Sequence, residues 1–419
     1  MLIVVSSCED KFIEELEYMA NVPVYADKES LQAEIGSSNP KPISGAGKIM
    51  LKGSYLYLVE PYRGIHVIDN SNPSAPVPIS FINLPGVVDI ASTGNTLYAD
   101  SFTDLLIIDI TNPLEIKLLR KIENVFEQVL PTIDNEYTAV APDPAEGVVI
   151  GWRLTKVVER NELNGSQITW WDGPVEFTSD MVLPQNSGGR SVQPSISGVT
   201  GSMARFAVYG DHLFTANLRE VIAWRAGGGD QLDQVSNLDI QREVETLFIH
   251  GTRLFCGTTS GMVVVEVSSP STPAVISTLQ HATACDPVVV SDSLAYVTLR
   301  AGNSCGGWQN QLDVIDVSNI EEPVLLATYA MTNPYGLGVD GKLLFLCDGE
   351  DGLKVYDRSD PLSIDQHLIA HYPQMDAYDV IPLSRLLIAI SEEGLYQYDY
   401  SDPMNITELS FLATQNTTK

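Results

Sequence analysis

The sequence predicts an all-β fold: a β-propeller, with eight four-stranded blades as the first count. Three observations carry this reading. A phrase recurs at intervals of about 41 residues, each interval holds four short apolar stretches, and no helical periodicity is sustained over a helix's length. The phrase is Gly-x-x-Leu-Tyr, a short gap, then Gly-Leu-x-Val-Ile-Asp-x-Ser-x-Pro. It is clearest at Gly53–Tyr57 with Gly64–Pro73, and at Gly94–Tyr98 with Leu105–Pro113. Its anchors are Leu56, Leu97, Tyr137, Leu213, Leu254, Leu294, Leu344 and Leu387, separated by 41, 40, 76, 41, 40, 50 and 43 residues. The two long gaps are read as one period plus an insertion. Seven blades and one stray hairpin is the alternative count.

Each copy has strand-and-turn grammar. In the second copy the apolar stretches are Gly86–Ala91, Thr96–Asp100, Leu105–Ile110 and Lys117–Ile122, rich in Val, Ile and Tyr and separated by Gly, Asn, Asp and Pro. Four strands in 40–45 residues is a propeller blade. A blade buries both faces against its neighbours, which accounts for apolar runs such as Ile65–Ile68 and Leu105–Ile108.

The strand-end acids Asp69, Asp109, Asp316, Asp357 and Asp399 each precede a Ser/Thr-Asn/Asp turn. An Asp there accepts backbone N–H groups across the turn. Recurrence once per blade marks them as architectural, because a catalytic residue is needed once per molecule.

Function is sought instead among unrepeated residues facing the channel. Counting back eight from each anchor gives Lys48, Asp89, Val129, Arg205, Thr246, Asp286, Gly336 and Asp379. The charged members, Lys48, Asp89, Arg205, Asp286 and Asp379, are the candidate site for a cation or polar ligand; the alternative is a mutually paired channel lining. Insertions near 172–201 and 300–311 are expected on one face, where loops on a rigid scaffold place binding residues. Trp170, Trp171 and Trp308 lie in or beside them and suit a sugar or peptide.

Of five cysteines, Cys256 and Cys347 fall in second strands and are expected as buried thiols, while Cys285 and Cys305 are expected to bridge. Residues 348–351 hold three acids but lack full calcium-loop spacing, and His367 and His371 sit in strand-and-turn sequence unsuited to a helical zinc pair. No nucleophile elbow, Walker loop or dinucleotide fingerprint appears, and no metal or cofactor is expected.

Residues 1–8 read as an address. Val5-Ser6-Ser7-Cys8 resembles a bacterial lipoprotein lipobox, which implies a lipid on Cys8. The run before it lacks the basic region and length of a complete signal, consistent with a truncated or mis-called start. Glu9-Asp10 resembles the surface-export signal of Bacteroidota lipoproteins. Residues 9–44 are expected to be a tether, with a weak helical pattern at Phe12, Ile13, Leu16 and Met19 and a Gly/Ser/Pro-rich linker at 36–47. The propeller then occupies 45–415.

The stretches GIHVIDNSNPSAP, DIASTGNTLYADSFTDLLIIDITNP and LDVIDVSNIEEP resemble the LVIVD-repeat proteins, which include tethered lipoproteins of Bacteroidota. That resemblance implies a propeller and offers no catalytic residues to carry over. It is weakest at 137–240, where Trp152 and Trp224 stand in for the strand-end Asp.

The net charge of −30 excludes a surface built to collect phosphates, so nucleic acid is not an expected partner. It also disfavours charge-driven contact with anionic lipid. The leading functional expectation is a membrane-tethered extracytoplasmic scaffold, exported and lipid-anchored at the outer membrane or cell surface, binding an extracellular ligand or envelope protein. The alternatives are a carbohydrate-active enzyme using channel carboxylates, or a purely structural envelope protein.

Overall fold

The computed structural model describes residues 11–134, 136–164, 204–280, 287–301 and 309–415, with the backbone alone described at 11–15 and 159–164. These residues form eight sheets, and the β-propeller fold stands as the repeats predict. Seven sheets carry a four-strand meander. The first blade is built from Ile49–Lys52, Tyr55–Glu60, Gly64–Asp69 and Val77–Asn83. Blades 2 to 7 occupy 90–122, 206–239, 244–280, 288–330, 337–372 and 377–413.

The eighth sheet has three strands, Thr138–Ala139, Lys11–Ala26 and Val148–Asn164. Among the described residues the copy centred on Tyr137 therefore joins this three-stranded sheet rather than a four-stranded blade, and the alternative count of seven blades and a stray hairpin describes them. The chain divides into two compact units. One comprises 1–28 and 130–193; the other, holding every blade, comprises 29–129 and 194–419.

In the first unit, Lys11–Ala26 pairs antiparallel with Val148–Asn164 from Lys11↔Asn164 to Ala26↔Val148. The helical pattern expected near Phe12–Met19 is overruled. Val22, Val24 and Tyr25 favour extended backbone, Pro23 opposes helix, and a long partner strand satisfies the backbone. The Asn21 amide donates to the carbonyls of Asp134 and Tyr137, at 2.8 and 3.0 Å.

In the second unit the ring closes by packing. Seven apolar clusters each join one pair of neighbouring blades. Blade 2 meets blade 3 directly through Tyr98, Ile107, Phe206 and Trp224, although about 80 residues of chain intervene. Blade 7 meets blade 1 through Ile381, Ile388, Ile390, Ile49, Leu56 and Ile68. The intervening chain thus runs between blade 2 and blade 3 in sequence.

Among the described residues, no strand is exchanged across the seam. Asn70 and Gln397 instead trade reciprocal amide bonds of 2.8 and 2.7 Å, and the Gln415 N–H donates to the Ile43 carbonyl at 2.6 Å. Residues 36–47 are no free linker. Gly36–Ser38 adds a fifth strand outside blade 1, and Ile43 is buried in the seam. Ser44 donates to Glu60, which also bonds His66 at 2.8 Å. Burial opposes ionisation of Glu60, but the bonds from His66 and Ser44, with the Arg63 charge, outweigh it and hold the carboxyl down at about 2.

A second device repeats at every interface. Ser80, Ser236, Ser277 and Ser410, on outer strands, each donate to a carbonyl of the next blade: Pro113, Pro270, Ile320 and Pro73. Blades 5 and 6 carry Ala327 and Ala370 at the paired position, and there Tyr329 and Tyr372, two residues on, reach Pro361 and Pro403. In blade 2 Arg120 occupies the position and donates to Leu232.

The repeated phrase is now explained locally. Asp69, Asp109, Asp316, Asp357 and Asp399, with Glu266 in blade 4, accept the N–H two residues on at 2.7–3.0 Å. In blade 3, strand pairing puts Arg225 at this position, so Trp224 corresponds to the preceding Ile68. The phrase's glycine answers a close approach: a Cβ on Gly261, at φ +139°, would lie 2.1 Å from the Leu279 carbonyl oxygen.

Ile388→Ala at the seam should cost about 2–5 kcal/mol in chemical denaturation, and Ser410→Ala about 0.5–1.5 kcal/mol, whereas exposed Leu362→Ala should stay within about 0.5 kcal/mol. Acid should weaken the fold with a defined sign. Glu60 and the turn acids are held below their ordinary values by His66, Ser44 and turn N–H groups. Their contribution is complete above the unfolded carboxyl range of about 4 and is lost as pH falls through the lower folded values. Denaturation midpoints measured from pH 7 downward should hold near neutrality and fall below about pH 4; a midpoint rising over that range would contradict the assignment.

Candidate functional site

The inner strands bring seven equivalent positions to the channel. The backbone pairing identifies them: the carbonyls of Lys48, Asp89, Arg205, Pro287 and Gly336 accept the N–H groups of Val59, Asp100, Ala216, Thr298 and Cys347 on the second strand. Thr246 and Asp379 pair with Gly257 and Ile390 at the same level. Lys48, Asp89, Arg205, Thr246, Gly336 and Asp379 thus stand where counting placed them. In blade 5 the position is Pro287, because its anchor is Ala295 rather than Leu294. Asp286 lies outside the described residues, and Val129 lies outside any blade.

The described charged members are buried, and Lys48, Asp89 and Arg205 are engaged with one another or with Asp100. Lys48 forms an ion pair with Asp89, at 1% and 4% side-chain exposure. Asp89 also accepts the Arg205 N–H at 2.7 Å. The Arg205 guanidinium pairs at 2.6 Å with Asp100, whose other oxygen takes the Val88 and Asp89 N–H groups at 2.7 and 2.8 Å. Asp379 accepts the Val380 N–H at 3.0 Å. Burial, then the Arg205 charge, pushes the Lys48 ammonium well below the ordinary lysine range, against Asp100 and Asp379. Burial likewise pushes the Asp100 carboxyl up, against Arg205 and Lys48. Asp100 was missed by counting because it sits on a second strand; its pairing with the counted Asp89 was the available signal.

Above this layer is an aromatic rim. Tyr335 and Tyr378 immediately precede Gly336 and Asp379, with ring centroids 5.2 Å apart, and the Arg300 guanidinium lies 4.1 Å from the Tyr335 centroid. Asp376 is nearby; burial first, then Glu392, Glu350 and Glu393, pushes its carboxyl up. Trp170, Trp171 and Trp308 lie outside the described residues, as do Cys8, Cys285 and Cys305.

Other candidates have local duties. Asp348 is buried, accepts the Thr332 and Asn333 N–H groups at 3.0 and 2.7 Å, and pairs with Lys354 at 2.5 Å. His367 and His371 contact the carbonyls of Ser363 and Asp351 respectively. Cys256 and Cys347 are free, buried thiols, both pushed up by burial. Among the described residues, no three His, Cys, Asp or Glu side chains are grouped to hold a metal ion, and no helix is long and apolar enough to cross a membrane.

Comparison with known proteins agrees with this architecture. The periplasmic gluconolactonase PpgL of Pseudomonas aeruginosa is similar at TM-score 0.54 and 11% identity, over 91% of this chain and 97% of that one. The computationally designed protein Ika8 is similar at 0.52 and 8%, over 91% and 90%. BamB of Moraxella catarrhalis is similar at 0.50 and 7%, over 92% and 97%. At such identities the likeness is one of fold. No curated protein matches the chain. The LVIVD repeat model matches residues 45–81, 87–121 and 284–331, so this propeller carries LVIVD repeats in its first, second and fifth blades.

Proposed function

We propose that the chain is an exported propeller, attached to a membrane through a lipid on Cys8, that acts as a binding or assembly scaffold for an extracellular ligand or envelope protein. The observation that carries this reading is the internal pairing of the channel charges. A glycoside hydrolase needs two carboxyl groups roughly 5–10 Å apart, open to substrate and water. Asp89, Asp100 and Asp379 are at most 2% exposed, and Lys48 and Arg205 are turned onto the first two. They are placed to hold the inner strands together. The acidic and aromatic rim at Arg300, Tyr335, Asp376 and Tyr378 is the surface offered to a partner.

Attachment is tested in cells by metabolic labelling with an alkyne fatty acid. The protein should take up label and sediment with membranes, and Cys8→Ser should lose both; label retained in the variant would refute the anchor. The channel reading is tested by a double-mutant cycle. Lys48→Met alone should cost about 3–5 kcal/mol, because Asp89 is left buried without its cation. Lys48→Met with Asp89→Asn should cost less than the two single changes combined. Neutral stabilities in all three variants would contradict the reading.

A further inference from the structure

We propose that the outer edge of blade 7, with the exposed phenyl ring of Phe411, is a docking site for an extended peptide segment of a partner protein that carries a lysine. The proposal rests neither on the Cys8 anchor nor on the channel pairing, because the outer edge of blade 7 belongs to neither.

Blade 1 shows how such an edge is covered. Strand pairing makes the two blades equivalent: His66 opposes Phe81 between third and outer strands, and Tyr396 opposes Phe411. Each phenyl ring lies against its own blade's glycine. A Cβ on Gly64 would come 2.5 Å from the Phe81 ring, and one on Gly394 would come 3.0 Å from the Phe411 ring. On blade 1, Gly36–Ser38 pairs with the outer strand at Asn83, Ile82 and Phe81, and the Ser38 hydroxyl donates to the Phe81 carbonyl at 3.1 Å. Three residues on, the Lys41 ammonium lies 4.1 Å from the Phe81 centroid, and Phe81 is left 2% exposed. On blade 7 the corresponding edge positions are Ala413, Leu412 and Phe411. Among the described residues no strand lies outside them, and Phe411 is 39% exposed.

The surroundings of the ring set the charge of its occupant. Phe411 stacks on Tyr396 with centroids 4.2 Å apart, and Tyr396 stacks on Tyr398 at 5.9 Å. Glu408 pairs with Tyr398 across the strands, which puts its carboxylate on the same face as the three rings. The Tyr396 hydroxyl donates to Glu393 at 2.7 Å. Burial first, then that bond and the charges of Glu393 and Glu408, pushes the hydroxyl up. A carboxylate that accepts one neutral hydroxyl keeps its charge and has lone pairs to spare. Neither Glu393 nor Glu408 has an ion-pair partner among the described residues. The face of a phenyl ring attracts a cation, and two carboxylates beside it add to that attraction, whereas an anionic or neutral segment gains neither. The outer strand contributes main-chain groups that take up an extended segment, as its counterpart on blade 1 takes up Gly36–Ser38.

Fluorescence anisotropy tests this with a labelled peptide, Gly-Ser-Ser-Asn-Pro-Lys-Pro, copied from residues 36–42 and titrated with the whole protein. The peptide should bind saturably, and more weakly as salt rises. A peptide with glutamine in place of its lysine should bind at least about fivefold more weakly, and the original peptide should lose as much on Phe411→Ala. Should that variant fail to fold, Glu408→Gln, at an exposed residue, serves the same comparison. No saturable binding, equal affinity for the glutamine peptide, or full affinity in the folded variants would each overturn the proposal. So would a dimer of the protein alone that Phe411→Ala dissolves, which would put a second copy on the ring.

Discussion

Every blade in this ring has two apolar faces, and neither may be left to water. A sheet whose third strand reads Gly-Ile-His-Val-Ile-Asp, buried at every residue but the last, cannot be the last in an open array. The chain must therefore circle until blade 7 reaches blade 1. Seven clusters do this, and the seventh, between Ile388 and Leu56, is as apolar as the rest. With no exchanged strand among the described residues, the seam's integrity rests on the isoleucine cluster, the Asn70–Gln397 pair, and the Ile43–Ser44 segment, which bonds Glu60 and Gln415.

Closure also decides what the channel can do. Inner strands converge there, and charges on them leave water together. A lone buried carboxylate or ammonium is costly, so the favourable arrangement is mutual satisfaction. Lys48 with Asp89, and Arg205 with Asp89 and Asp100, meet that requirement. Tyr335 and Tyr378, each one residue before a buried inner-strand position, are held by the same scaffold without being buried fully.

The fold was legible because its signals are local and repeated. The strand-end Asp, the Gly against a neighbouring carbonyl and the apolar runs each satisfy a constraint within one blade. What was not legible depends on pairing across long stretches of chain. Lys11–Ala26 looks weakly helical until its partner, some 130 residues on, is known. The Tyr137 copy has the spacing of a blade, yet Phe206 and Trp224 supply the face that blade 2 needs. Four channel charges could be counted from anchors, but Pro287 replaced Asp286 because Ala295, not Leu294, is the buried anchor. Asp100 and the Tyr335–Tyr378 pair needed the three-dimensional register.

Native-state hydrogen exchange tests the central claim, that the seven blades close into a ring through the apolar cluster and hydrogen bonds of the seam, with no strand exchanged there among the described residues. The inner strands at the seam, Ile49–Lys52 and Ala377–Leu383, should exchange only through global opening, with the same free energy and denaturant slope as Val244–His250 on the far side. Exchange at the seam through a separate, lower-energy opening, with blades 3 to 5 still protected, would contradict it.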